Sequence, residues 1–294
     1  MINDNHIDTL ERLDAMRVRE DAAICFNYFE RDASCGNIVN EVCRKVMVTW
    51  VEQVRKALSF GPETVWIAMA YFDRYLCSGR GNSRGVLESE CKFQLAAITS
   101  FYTAVKIHEP VALGIDTMMK ICRGKYTESD IVSMERDILS ALDWKLPCHT
   151  PMDFARCLLD LLPEHLPSCV SDTLLEDCQK NVHHATTDIY FSFLTPSVLG
   201  ISCLASSLAD CDILAISEKE AIWSRLSDSC HIDLSTDEVI ASERRLLSRA
   251  SPCKPRSTSK PTEPRRSNTS ASFYGVDGRS TPSPICVKQI AQQA

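Results

Sequence analysis

The chain has 294 residues, 45% apolar and 24% charged, with a formal net charge of −7. That length suffices for two domains of ordinary size, each burying its own core. Charge is unevenly divided: Ser251 to Ala294 carries seven Lys/Arg against Glu263 and Asp277, a net +5, which leaves −12 on residues 1–250. Such an acidic body excludes a broad nucleic-acid face, because phosphate contact needs clustered Lys and Arg. The 15 cysteines are scattered without CxxC pairs, and Cys25, Cys91, Cys157 and Cys203 read as small buried hydrophobes. Met1 to Glu20 is polar and charged, unlike a secretory signal, so a reducing, intracellular setting is expected.

Residues 1–17 read as a flexible N-terminus. From there apolar residues recur at three and four, which predicts helices over 18–31, 40–58, 62–77, 88–107, 112–122 and 127–143. Pro147, Pro151, Pro163 and Pro167 punctuate a transition. A second set follows over 151–162, 170–192, 196–209, 217–228 and 236–249. Each set has a central helix rich in small residues, around Leu95–Ser100 and Val198–Cys203, that has to be surrounded by others. The expected organisation is all-α: one unit over 18–147, a divergent second unit over 148–250, and a basic Ser/Pro-rich tail over 251–294. The tail lacks the apolar surface to offset its ordering entropy and is expected to be disordered.

Along the chain, Cys43, Val46, Met47, Trp50, Val51 and Val54 form one apolar helix face, interrupted by Arg44. A cation there needs a partner, and Asp73 in Tyr71–Leu76 is the candidate for a structural ion pair. Gly79–Gly85 misses GxGxxG spacing and follows a helix, so it reads as a flexible loop. Lys106 closes the apolar helix 93–107, where a helix dipole favours a cation. Glu135 lies in Ser133–Leu139, one of several charges on an amphipathic helix. His183 and His184 adjoin and cannot share a helix face, so no metal site is expected. Residues 189–209 carry no charge but hold many hydroxyls. They read as a buried helix, not a membrane span, with Thr195 as N-cap and Pro196 as first residue. No catalytic constellation emerges, and neither an enzyme activity nor a cofactor is expected.

The segments Arg44–Trp50, Thr103–Pro110, Met134–Glu135, Leu142–Leu146 and Thr150–Phe154 resemble the cyclin family, and the D-type cyclins in particular. Thr103-Ala104-Val105-Lys106-Ile107-His108-Glu109 is similar to the family's A-S-K-x-x-E-x stretch, with Val105 in place of the serine. The resemblance implies two tandem five-helix cyclin boxes and a regulatory subunit that binds and activates a cyclin-dependent protein kinase and helps select its substrates, with a G1/S-like role in cell-cycle progression. It implies that Lys106 and Glu135 hold the kinase's mobile helix, with Ile107, Glu109, Trp144 and Leu146 on the same surface. It also implies a substrate-docking groove for Arg-x-Leu peptides, lined by Cys43, Val46, Met47, Trp50, Gln53 and Gln94. Two positions depart from the family: Gln53 stands for a glutamate and Cys43 for a methionine. In the tail, Ser251, Thr281 and Ser283 or the residues around them fit proline-directed phosphorylation patterns, and Lys254 to Arg266 fit a loose nuclear import signal; nucleus and cytoplasm are the expected locations. No membrane or direct nucleic-acid partner is expected. The alternatives are a cyclin-fold transcription factor on DNA, or a cyclin for a transcriptional or metabolic kinase.

Overall fold

A computed structural model describes residues 4–20, 27–30, 38–146, 149–163, 166–230 and 233–250. The tail and its three candidate phosphorylation sites lie outside them. Twelve α-helices and one 3-10 turn occur among the described residues, with no strand. Helix starts follow capping chemistry that is plain in the sequence. Asn40 accepts from the backbone of Val42 and Cys43 to open α2 (Glu41–Ala57), and Ser89 opens α5 (Glu90–His108). Thr127 and Asp130 form a capping box at α7 (Glu128–Ala141), and Thr150 and Asp153 form another at α8 (Pro151–Asp160). Thr195 with Pro196 opens α10 (Pro196–Asp210). Each such side chain satisfies N–H groups that a helix leaves unpaired.

Two apolar clusters organise the chain. The first joins α2, α3 (Glu63–Ser78), α4 (Ser83–Leu87), α5, α6 (Ile115–Ile121) and α7. Its centre is α5, which packs on α3 and α7 and buries nearly every residue from Phe93 to Val105. The second joins α8, α9 (Ser168–Thr187), α10, α11 (Ile216–Cys230) and α12 (Asp237–Ala250). Here α10 is central, packed on α8, α9 and α12. Gly200 is what permits the approach to α8: a Cβ there would come 2.5 Å from the Pro151 carbonyl oxygen. Trp66 of α3 packs against both clusters.

Several expectations need correction. The flexible terminus expected over 1–17 is, within the described residues, the helix α1 (Asp4–Val18), which buries Leu13 and Met16 in the second cluster. Its Arg12 donates to the Cys157 sulfur at 2.9 and 3.1 Å. The helix expected over 18–31 falls partly outside the described residues, and 27–30 form a turn. The Gly-rich stretch 79–85 is a built corner. Gly79 is left-handed (φ 62°) and ends α3, while left-handed Gly81 (φ 55°) lies so near Asp137 that a Cβ would sit 2.1 Å from its carboxylate. Asp137 accepts from the Asn82 N–H and from the Tyr75 hydroxyl, which fixes the corner to α7.

The predicted helix 170–192 ends earlier, at Thr187, where the Asp188 side chain accepts from Tyr190 N–H and starts the 3-10 turn Ile189–Phe193. No helix among the described residues is long and apolar enough to cross a membrane. Of the cysteines read as buried, Cys157 and Cys203 are, Cys91 is exposed, and Cys25 lies outside the described residues.

Candidate functional site

Arg44 does not interrupt the buried face of α2; it belongs to it, with Met47, Val48, Trp50, Val51 and Val54. The guanidinium grips Asp73 with both forks, Nε to Oδ1 at 2.9 Å and a terminal nitrogen to Oδ2 at 2.7 Å. Its other terminal nitrogen donates to the Thr186 carbonyl at 2.9 Å, at the C-terminus of α9, and Tyr28 donates to Asp73 at 2.8 Å. The pair is 2% and 4% exposed. Burial works against the Arg44 charge, but Asp73 outweighs it and leaves the guanidinium more basic than usual. The Tyr28 hydroxyl is pushed well up by burial and by Asp73. This constellation ties α2 to α3 and, through Thr186, to the second bundle.

Lys106 of α5 and Glu135 of α7 meet in a second ion pair. Lys106, in the last turn of α5, donates to both Glu135 oxygens at 2.9 and 3.0 Å. Its side chain is 43% exposed and that of Glu135 is 13% exposed. Thr103 also donates to Glu135 at 3.2 Å, and the Lys106 ammonium lies 5.1 Å from the Tyr102 ring centre. The Tyr102 hydroxyl is shifted up by burial, against the pull of Lys106. An ammonium has three donors and a carboxylate about four acceptor positions, so each can hold the other and still bind a third group. Ile107 beside them is exposed, as is Trp144 just past the end of α7.

Other residues expected on this surface are used by the fold. Glu109 turns toward the start of α3, where it accepts from the Gly61 N–H at 2.8 Å and from the Thr64 hydroxyl. The orphan N–H groups and positive end of a helix draw a carboxylate there. Leu146 packs partly against the first core and anchors its loop.

The expected docking groove is also divided. Met47 and Trp50 are buried core, Cys43 and Gln53 are half-buried, and Val46 is exposed. Val42, one turn before Val46, is exposed as well and was not anticipated. Gln94 spends its oxygen on Lys125 and on the Tyr126 hydroxyl. The surface on offer is therefore a short aliphatic strip, Val42 and Val46, and not a groove floored by Trp50.

The fold and site define an all-α protein of two bundles whose exposed charge pair and apolar neighbours suit protein contact. Residues 12–147, a little under half of the chain, match the model of the cyclin N-terminal domain. It is 31% identical over 116 residues to G2/mitotic-specific cyclin-2 of Antirrhinum majus, covering 40% of this chain and 25% of that protein. It is 26% identical over 169 residues to Cyclin-A1-2 of Arabidopsis thaliana, covering 57% of this chain and 36% of that one. The match thus spans between a quarter and about a third of these relatives' length. The fold is similar to that of a viral cyclin from herpesvirus saimiri, with a TM-score of 0.60 at 18% identity over 81% of this chain and 97% of that one.

Proposed function

We propose that this chain is a regulatory subunit, without catalysis of its own, that binds and activates a cyclin-dependent protein kinase. The observation that carries the reading is the Lys106–Glu135 pair, 2.9 Å apart and partly open to solvent beside exposed Ile107. A preformed face of this kind acts by binding one placement of a mobile kinase helix more tightly than another. Moving that equilibrium from about 1:99 to 99:1 requires ~5.5 kcal/mol of differential affinity, within reach of an interface of ordinary size. The strip of Val42 and Val46 would add recruitment of Arg-x-Leu segments. The D-type reading and a G1/S-like role in the cell cycle rest on Arg44–Trp50 and Leu142–Leu146, whereas the relatives named above are mitotic and A types. Residence in nucleus and cytoplasm rests on the basic tail.

The test is phosphorylation of a general substrate by a monomeric cyclin-dependent kinase with and without the purified full chain. The wild type is expected to activate, and Lys106→Ala combined with Glu135→Ala to lose activation while keeping its helical circular dichroism. Full activation by that double variant overturns the reading.

A further inference from the structure

We propose that the exposed corner between α10 and α11, at Ile213 and Ile216, is a docking site for this chain's own basic tail, seated through Phe273 and Tyr274. Charge is segregated along the sequence. Residues 148–250 hold 16 Asp/Glu against 7 Lys/Arg, a net −9, whereas 1–147 come to −3 and 251–294 to +5. The most basic segment is thus joined, at Ala250, to the most acidic unit. That unit also carries an uncovered apolar pair: Ile213 is 56% exposed and Ile216 77%, the most exposed isoleucine among the described residues.

The corner is pinned, so the exposure is built in. Cys211 and Leu214 are buried in the second cluster and hold the loop down. Glu218 accepts from the Ala215 N–H at 2.7 Å, and Lys219 donates to the Ala209 carbonyl at 2.8 Å, tying the start of α11 to the end of α10. Exposed Asp210, Asp212 and Glu220 flank the isoleucines, and Lys219 is the one cation in that stretch. Such a corner fits a partner with large apolar side chains and cations beside them. A second copy would bring the same acidic unit and be repelled. The tail has the matching pattern: Phe273 and Tyr274 are its only aromatic residues, set between Arg265-Arg266 and Arg279. Reach is no obstacle. Phe273 lies 23 residues past Ala250, a span of up to about 80 Å. The end of α10 is closer than that, since α12 packs on α10, whose 15 residues measure about 22 Å. Tethering raises the tail's local concentration to about the millimolar range, so a small patch can hold it.

Limited trypsin digestion and carbodiimide coupling of the full chain, with no kinase present, test this independently of the regulatory-subunit reading. Cleavage after Arg265 and Arg266 is expected to run on the order of 5-fold slower in the wild type than in Phe273→Ser/Tyr274→Ser. Those substitutions lie several residues from the cut, so the protease itself does not read them. Ile213→Ser/Ile216→Ser, at two exposed positions that the fold does not need, should speed cleavage to the same extent. Combining all four substitutions should add nothing. In dilute solution the carbodiimide should join Lys260 to Asp210, Asp212 or Glu220 within one molecule, and the product should fade in either variant. Cleavage unchanged by either variant overturns the proposal. So does coupling that joins the tail chiefly to other carboxylates, that forms between copies, or that survives loss of the isoleucines.

Discussion

Two charge pairs of the same chemical type do different work in this molecule. Arg44–Asp73 is sealed at 2% and 4% exposure, with further bonds from Arg44 to the Thr186 carbonyl and from the Tyr28 hydroxyl to Asp73. Lys106–Glu135 has an ammonium 43% open to water and hydrogen-bonding capacity to spare. The first pair is committed to the fold, and the second is available. Burial, not the ion pair as such, separates a structural constellation from a candidate contact.

The comparison is broken hardest at the sealed pair. Asp73→Ala strands the Arg44 charge in the core and is expected to cost about 3–5 kcal/mol of folding stability, measured by urea denaturation. A loss as small as that of a surface pair would erase the distinction. Gly200→Ala, at a residue of neither pair, sets an intermediate scale. Its Cβ meets the Pro151 carbonyl at 2.5 Å, and prising α10 from α8 is expected to cost about 1–3 kcal/mol in the same assay. Lys106→Ala with Glu135→Ala should cost on the order of 1 kcal/mol or less, as for other partly exposed pairs, while kinase activation is lost. Stability and activity then part company at one pair and fall together at the other.

The smallest expected effect is that of pH. Burial holds the His108 and His183 imidazoles below their ordinary pKa, against the opposing pull of Glu109 and Glu52. The unfolded chain therefore takes up protons first, and stability is lost as pH falls through about 6.5 toward the lower folded values. A His108→Gln/His183→Gln variant should lose less melting temperature than the wild type between neutral and mildly acidic buffer, a difference below about 1 kcal/mol. Equal losses would refute the assignment.

Local signals were the legible ones. Thr195 placed the start of α10 because a cap is chemistry within four residues. Arg44 advertised its pairing because a cation on an apolar face has few solutions. What stayed hidden depends on partners distant in sequence. The Glu109 bonds to Gly61 and Thr64 span 48 and 45 residues and leave no local signal. The α1 helix looked like a polar tail because its Leu13 and Met16 find their core beyond residue 150. Val46 and Met47 lie on one apolar stretch, but one residue on a helix turns the side chain by about 100°, which buries Met47 and leaves Val46 in solvent.

Trp66 has a consequence for anyone who would dissect this protein. Its ring is shared by both cores, and Arg44 reaches across to Thr186 beside it. Cutting the chain near residue 147 would leave each fragment with a raw apolar scar, and the first with a dangling guanidinium bond as well. The halves should clump when made alone and rejoin when made together, so the molecule is better handled whole than as modules.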